Sequence, residues 1–272
     1  MPSSAKGAIV LVGAGNMGGA MLSGWLDSGI AGNSITVLDP SPSAQMMQKI
    51  SDGGVRHSTV APVGLVAEVI FLAVKPQVME AVLPPLKTLV SSGTVIVSVA
   101  AGKPLSFLEE HLGEAAMVRA MPNTPAMIGR GITGAFANAR VDDAQRAQVD
   151  ALLKVSGPVE WVSSEKDIDA VTAVSGSGPA YVFYLVECMA EAGRKAGLPA
   201  DLAMRLARET VSGAGELLHR SPEPASKLRQ NVTSPGGTTA AALSVLMDDS
   251  NMQSLFDKAI AAARARAQEL GR

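Results

Sequence analysis

The 272-residue chain is 47% hydrophobic and 18% charged, with a formal net charge of -2; such a balance supports one large core or two modest ones and excludes an intrinsically disordered protein. No Lys/Arg block occurs, and no apolar run approaches the roughly 18 to 20 residues of a membrane span, so neither nucleic acid nor a membrane is expected as a partner and the substrate is small. A lone cysteine, Cys188, and scattered histidines give no intrachain disulfide and no metal-ligand spacing, so no metal is expected.

In chain order, Met1 to Gly7 lack the charged, apolar and cleavage regions of a signal peptide, and the chain reads as cytoplasmic. Short β-branched runs then alternate with helical patterns, the mark of βαβ units, which predicts an α/β fold with an N-terminal Rossmann-type, mostly parallel sheet. Strands are expected at 8–12, 34–38, 69–74, 95–99, 116–121, 133–137 and 159–162. The clearest early helix begins near Asn16, aligns Gly18, Met21, Leu22, Trp25 and Leu26 on one face, and closes with Gly29 as its C-terminal cap. Beyond Ser163 the β-branched runs stop, and helices are expected at 166–174, 179–196, 200–219, 224–231, 239–247 and 251–270. The division is therefore a dinucleotide-binding domain at 1–163 and a C-terminal all-helical domain at 164–272. Apolar positions such as Leu202, Leu206 and Val211 exceed what so short a helical region needs for a private core. They point to self-association, or to a helical lid over the sheet. Cys188, within the apolar stretch 181–192, is expected to be buried packing.

The strongest local motif is Gly13-Ala14-Gly15-Asn16-Met17-Gly18, between a predicted strand and a predicted helix, the context the dinucleotide fingerprint requires. Gly13 permits the tight turn, Gly15 lets a pyrophosphate approach the backbone, and Gly18 lets the helix pack on the strand. Asp39 ends the second strand, where a carboxylate binds ribose hydroxyls and favours NADH; alternatively Pro40 turns it away and leaves Ser41 and Ser43 facing the ribose. Ala73-Val74-Lys75-Pro76 lies at the carboxyl end of a buried strand, where Lys75 either meets the cofactor or merely snorkels before a Pro-initiated helix. Ala100, in the small-residue run after the next strand, would let a flat nicotinamide lie against backbone. Asn123, in a stiff loop between Pro122 and Pro125, pairs with a carboxamide or with the loop itself. Ser175, in Ser175-Gly176-Ser177-Gly178, sits in a flexible turn before a helix. Ser234, Gly236, Gly237, Thr238 and Thr239 form a second Gly-rich helix entrance, and both entrances offer hydroxyls and unpaired N–H groups to a carboxylate.

Taken in this order and spacing, GAGNMG, AVKP, SVAAG, RAMPNTPA, AVSGSGPAY and NVTSPGGTT resemble the pyrroline-5-carboxylate reductases, from Val10 to about Met247. The resemblance implies an oxidoreductase that takes hydride from NADPH or NADH to reduce 1-pyrroline-5-carboxylate to L-proline, the last step of proline biosynthesis. It also implies a helical domain that dimerises by interlocking with its partner, often within a decamer. The loop 234–239 would hold the substrate carboxylate, with the Thr239 hydroxyl near the ring nitrogen as the catalytic group; the alternative is that Thr239 only caps a helix. Met247 departs from the family's usual acidic or amide residue, but Asp248 follows and function is expected to be unaffected; 55–62 lacks an asparagine that some relatives place near the adenosine, so the choice between NADH and NADPH stays open. A β-hydroxyacid dehydrogenase resembles the chain around the glycine loop, but its lysine position is occupied by Val182. A cofactor-binding regulator without turnover would have no use for the loop 234–239.

Overall fold

Residues 8–271 are described by a computed structural model. All four residues of β1 (Ile9–Val12) are buried, as are those of β2 (Ile35–Leu38), β4 (Val69–Leu72) and β5 (Val95–Ser98). Continuous apolar runs of this kind fit strands covered on both faces, which is the rule for parallel sheets. The other elements of this part are α1 (Asn16–Asp27), α2 (Ala44–Asp52), β3 (Arg56–Ser58), α3 (Met79–Leu86), α4 (Leu105–Leu112), β6 (Ala116–Met121), β7 (Thr133–Ala137), α5 (Asp143–Lys154) and β8 (Val159–Trp161). Every strand expected from the sequence is present, with ends moved by no more than two residues. The strand β3 was not expected: it is three residues long, polar and at the edge of the sheet, and so carries no apolar signal.

The sheet order is β3-β2-β1-β4-β5-β6-β7-β8, parallel throughout except for the antiparallel pair β6 and β7. Its first six strands follow the Rossmann order, and the chain leaves β1 on one side for β2 and returns on the other as β4. The carboxyl ends of β1 and β4 therefore form the switch point, and the glycine loop and Ala73 lie there. Alternation along the strands divides the core in two. Ile9, Leu11, Val37 and Phe71 face Met21, Leu22 and Trp25 of α1 and Leu152 and Leu153 of α5; Val10, Ile70, Leu72 and Ile96 face Met79 and Leu83 of α3 and Leu105 and Leu108 of α4. Trp25 is fully buried, meets Phe71 edge-on with centroids 5.2 Å apart, and donates its indole N–H to the Leu152 carbonyl at 2.9 Å. Truncating such a side chain to Ala costs about 3–5 kcal/mol. Helix α1 stops as expected at Gly29: the Ile30 N–H reaches the Trp25 carbonyl and the Gly29 N–H that of Leu26, the paired bonds of a Schellman ending.

After β8 come α6 (Asp167–Val171), a π-helical turn (Thr172–Gly176), α7 (Gly178–Lys195), α8 (Ala200–Arg220), α9 (Ala225–Asn231), α10 (Thr238–Leu246) and α11 (Met252–Leu270). The strands end where the sequence placed its division, but the chain forms compact units with different limits. One runs to Gly176 and takes in the residues from Ala263 onward; the other is Ser177–Ala262. The reason lies in Arg119 on β6, 5% exposed, whose guanidinium pairs with Asp169 at 2.9 Å and Glu165 at 3.4 Å. The pair with Asp169 ties α6 to the sheet, and Glu165, just before α6, also accepts the Leu105 N–H at the start of α4 at 2.8 Å. At the far end of the chain Leu270 packs on Gly102, where an added Cβ would lie 2.6 Å from the leucine Cβ.

The helical unit by itself buries mainly small side chains. Ala190, Ala203 and Ala207 are buried between α7 and α8, whereas Phe183, Tyr184, Leu206, Leu255 and Phe256 are exposed. Cys188 corrects the expectation made for it: it is exposed in the single chain, because the apolar face of α7 that carries it has no cover within this unit. Among the described residues no helix is long and apolar enough to cross a membrane. Met1 to Gly7, on which the cytoplasmic reading drew, lie outside the described residues.

Candidate active site

Each glycine of the first loop answers a different steric demand. Gly13 has φ +88°, and a Cβ there would come within 2.8 Å of the Val74 side chain and 2.9 Å of the Ala73 carbonyl. Gly18 faces back onto the loop, and its added Cβ would stand 2.0 Å from the Gly13 carbonyl oxygen, an impossible contact. Gly15 is the opposite case: a Cβ there would meet nothing within 4 Å. The fold leaves this space open, and a pyrophosphate requires such space. Gly15 is also the N-cap of α1, with no side chain capping the helix and no acidic residue in its first turn. The first N–H groups and the positive end of the helix dipole are thus available to phosphate, and the residues fit a dinucleotide. Asn16 is exposed and Met17 half-buried at the start of this helix.

Asp39 stands at the end of β2, beside the loop. Its Oδ2 accepts the Ala14 N–H at 2.7 Å and its Oδ1 the Ser41 N–H at 2.9 Å, while its carbonyl bonds the His57 Nε2 at 2.9 Å. The alternative in which Pro40 turns the carboxylate away is therefore not the one adopted. Ser43 faces its own helix, since its hydroxyl oxygen accepts the Met46 N–H as the N-cap of α2. His57 was missed by the sequence reading. The one available signal was the alternation Val55, Arg56, His57, which is too short to distinguish from a loop.

Ala73 continues the pairing of β4, its N–H donating to the Val12 carbonyl at 2.8 Å, and Val74 packs against Gly13. Lys75 is exposed and its carbonyl accepts the Val78 N–H, so its backbone starts the short turn that Pro76 opens. Ala100 is buried after β5 and donates its N–H to Ser98 Oγ at 3.3 Å. Asn123 follows β6, where its Oδ1 accepts the Ile132 N–H at 3.0 Å and so closes its own loop. The structure thus gathers Gly13, Ala14, Gly15, Gly18, Asp39, Ser41, Ala73 and Val74 into one cradle. Lys75, Pro76, Ala100 and Asn123 lie in loops along the same carboxyl edge.

The two Gly-rich helix entrances differ from expectation. Ser175 sits in no flexible turn: it belongs to the π-helical turn that runs from α6 to α7, with its hydroxyl donating to the Val171 carbonyl at 3.1 Å. Such a turn has a widened backbone and occurs often at functional sites. The second entrance has Gly236 at φ +72° and Gly237 as the N-cap of α10. Thr238 and Thr239 are then the first two helical residues, and no side chain caps the helix. The account in which Thr239 serves as the helix cap loses its geometric basis. Ser234 and Thr238 are exposed and Thr239 half-buried around N–H groups that the helix itself cannot satisfy. Among the described residues no cluster of His, Cys, Asp and Glu could hold a metal ion.

Comparison with known proteins bears on both halves of the chain. Residues 165–270 match the family model for pyrroline-5-carboxylate reductase dimerisation, and residues 8–102 match one described as NADP oxidoreductase coenzyme F420-dependent. The pyrroline-5-carboxylate reductase of Pseudomonas aeruginosa is 41% identical over 266 residues, covering 96% of each chain. The solved pyrroline-5-carboxylate reductase of Coxiella burnetii superposes with a TM-score of 0.90 at 38% identity, covering 98% of this chain and 99% of that one. The Plasmodium falciparum pyrroline carboxylate reductase, solved with NADP bound, gives a TM-score of 0.82 at 28% identity, covering 99% and 100%.

Proposed function

The chain belongs to the pyrroline-5-carboxylate reductase family, an NAD(P)H-dependent oxidoreductase of the final step of proline biosynthesis, and on that premise we propose which of its residues perform the reduction of 1-pyrroline-5-carboxylate to L-proline. The observation that carries the assignment is the pair of uncapped, glycine-led helix starts, one at Gly15 on the sheet unit and one at Gly237 on the helical unit. Both offer N–H groups to an anion, and the ligands of this reaction supply two, a pyrophosphate and a carboxylate.

At the first, Gly13 through Gly18 hold the dinucleotide. Asp39 and Ser41 border the adenosine ribose, and Ala73, Val74, Lys75, Pro76, Ala100 and Asn123 border the nicotinamide end. With its Oδ1 engaged in the loop, Asn123 offers its amide N–H groups rather than its oxygen. When bound, a reduced nicotinamide supplies hydride for the imine carbon. At the second, Ser234, Gly236, Gly237 and Thr238 hold the carboxylate, and the Thr239 hydroxyl accepts the N–H of the protonated imine and orients the ring; Ser175 is a separate candidate for substrate contact. An imine nitrogen takes its proton before or on binding, so no acidic side chain is required. The chain's contribution is then to keep the reacting carbon in near-attack geometry.

The helical segment from 164 onward is the proposed substrate-binding and dimerising part, within a dimer and, as in the family's larger assemblies, a decamer, in the cytoplasm. Mixing the purified chain with 1-pyrroline-5-carboxylate and either reduced cofactor tests the function directly. Substrate-dependent loss of nicotinamide absorbance is expected with at least one of them, and no loss with both would overturn it.

A further inference from the structure

We propose that this chain selects NADH over NADPH and that the Asp39 carboxylate makes the selection; the proposal rests on the reading of Gly13 to Gly18 as the dinucleotide loop. An ionised carboxylate has about four acceptor positions on its two oxygens. In Asp39 one position on each oxygen is taken, by the Ala14 N–H at 2.7 Å on Oδ2 and by the Ser41 N–H at 2.9 Å on Oδ1. These bonds fix the side chain against the glycine loop and leave one acceptor per oxygen. A vicinal diol brings two donors to match, which is what the 2′ and 3′ hydroxyls of NADH present. A 2′-phosphate brings only acceptors near neutral pH, with a charge of about -1.5 to -2. Hydrogen-bond polarity and charge therefore both oppose it.

The surroundings do not reverse that sign. No Lys or Arg occurs between Asp39 and Gln45. Lys49 donates to the Ser23 hydroxyl on α1. Arg56 is in register with Thr36, three residues before Asp39 and so roughly 10 Å back along the strand from the sheet edge. The ring of His57 is bonded through Nε2 to the Asp39 carbonyl. The start of α2 favours an anion, yet a helix N-terminus is worth about half a charge and Ser43 already occupies one of its N–H groups, whereas Asp39 carries a full negative charge. The carboxylate outweighs the dipole.

The test is calorimetric titration of the full chain with NADH and NADPH, followed by kcat/KM for each with 1-pyrroline-5-carboxylate. NADPH is expected to bind roughly ten- to a hundredfold more weakly. Asp39→Asn keeps an acceptor for the loop but removes the charge, and should bring the two dissociation constants within a few-fold of each other. Asp39→Ser combined with Pro40→Arg should invert the preference. If Asp39 were only a brace for the Ala14 N–H, Asp39→Asn would weaken both cofactors alike and leave their ratio unchanged, and that result overturns the proposal. So does equal or tighter binding of NADPH by the unaltered chain. Binding of neither cofactor would remove the dinucleotide reading of the loop and this proposal with it, whereas a preference for NADPH leaves the reductase reading intact.

Discussion

The sheet unit and the helical unit spend their apolar residues differently. In the sheet unit Trp25, Phe71, Ile9 and Leu83 are wholly buried within one chain. In the helical unit Phe183 is 62% exposed and Leu255 66%, and what is buried is alanine. Fully burying a large apolar side chain is worth about 1.5–3 kcal/mol, so the first unit holds its own stabilisation while the second withholds its own for a surface outside the unit. A segment that matches a dimerisation model should look like this. The lesson is that ligand chemistry of the sheet unit can be altered without unfolding it, whereas changes on the helical faces act through assembly.

The sharpest way to break that contrast is Gly15→Val. Since a Cβ at this position meets nothing, the variant should keep the wild-type melting temperature and lose cofactor affinity by about a hundredfold or more. Titration calorimetry and a melting curve decide it: unchanged affinity removes the cradle assignment, and a large drop in melting temperature would mean the open space is needed by the fold. Phe183→Asp on α7 should act on the other unit only. Sedimentation is expected to show at least a dimer for the wild type and a dimer weakened about ten- to a hundredfold for the variant, with cofactor binding retained. A wild-type chain that stays monomeric at micromolar concentration would contradict the picture.

Thr239→Val tests the chemistry carried by the helical unit. Removing a hydroxyl that meets the reacting ring should lower kcat/KM by about five- to a hundredfold, equivalent to roughly 1–3 kcal/mol. Because Gly237 is the N-cap, the melting temperature should hardly move. Thr238→Val should cost less turnover. Near-normal turnover in Thr239→Val would take the residue out of the chemistry.

The smallest effect is expected at Glu191. Hydrogen bonding to Arg194 pulls its carboxyl down to about 2. A depressed carboxylate contributes stability that is present above its unfolded value, near 4.5, and is lost as the pH falls toward 2. The pair lies on the surface and is screened by solvent, so Glu191→Gln should shift the melting temperature at neutral pH by no more than the error of measurement, and by still less near pH 2. A large shift would mean that this part of α7 is more enclosed than the single chain makes it.

Much of this was legible in the sequence, for reasons that differ by element. The strands and the glycine loop were readable because their signals are local: β-branched runs for β1, β4 and β5, and glycine wherever a Cβ would collide, as at Gly13 and Gly18. What escaped depends on which partner a polar side chain chooses. The three polar residues of β3 belong to the sheet only because Thr36, Val37 and Leu38 lie beside them. Asp39 was placed at the ribose position, but whether Pro40 turned it away depended on its bond to Ala14. Thr239 reads as the catalytic group from the family resemblance and as a helix cap from its local pattern, and only the backbone shows that Gly237 takes the capping position. The division after Ser163 followed the end of the strands, which sequence can see. The tie from Arg119 to Asp169, which sequence cannot see, holds α6 to the sheet.

The return of α11 to the sheet unit has a consequence for how the protein is made. Residues around Leu270, made after the helical unit, pack against Gly102 in the loop that follows β5. The helical unit is therefore an insertion in the chain's path, and the sheet unit, whose strands are made before it, is completed only after it. A nascent chain stalled within α11 would already hold every strand of the sheet, yet leave the loop at Gly102 uncovered, and a stop codon just before 263 would damage the cofactor-binding half of the protein.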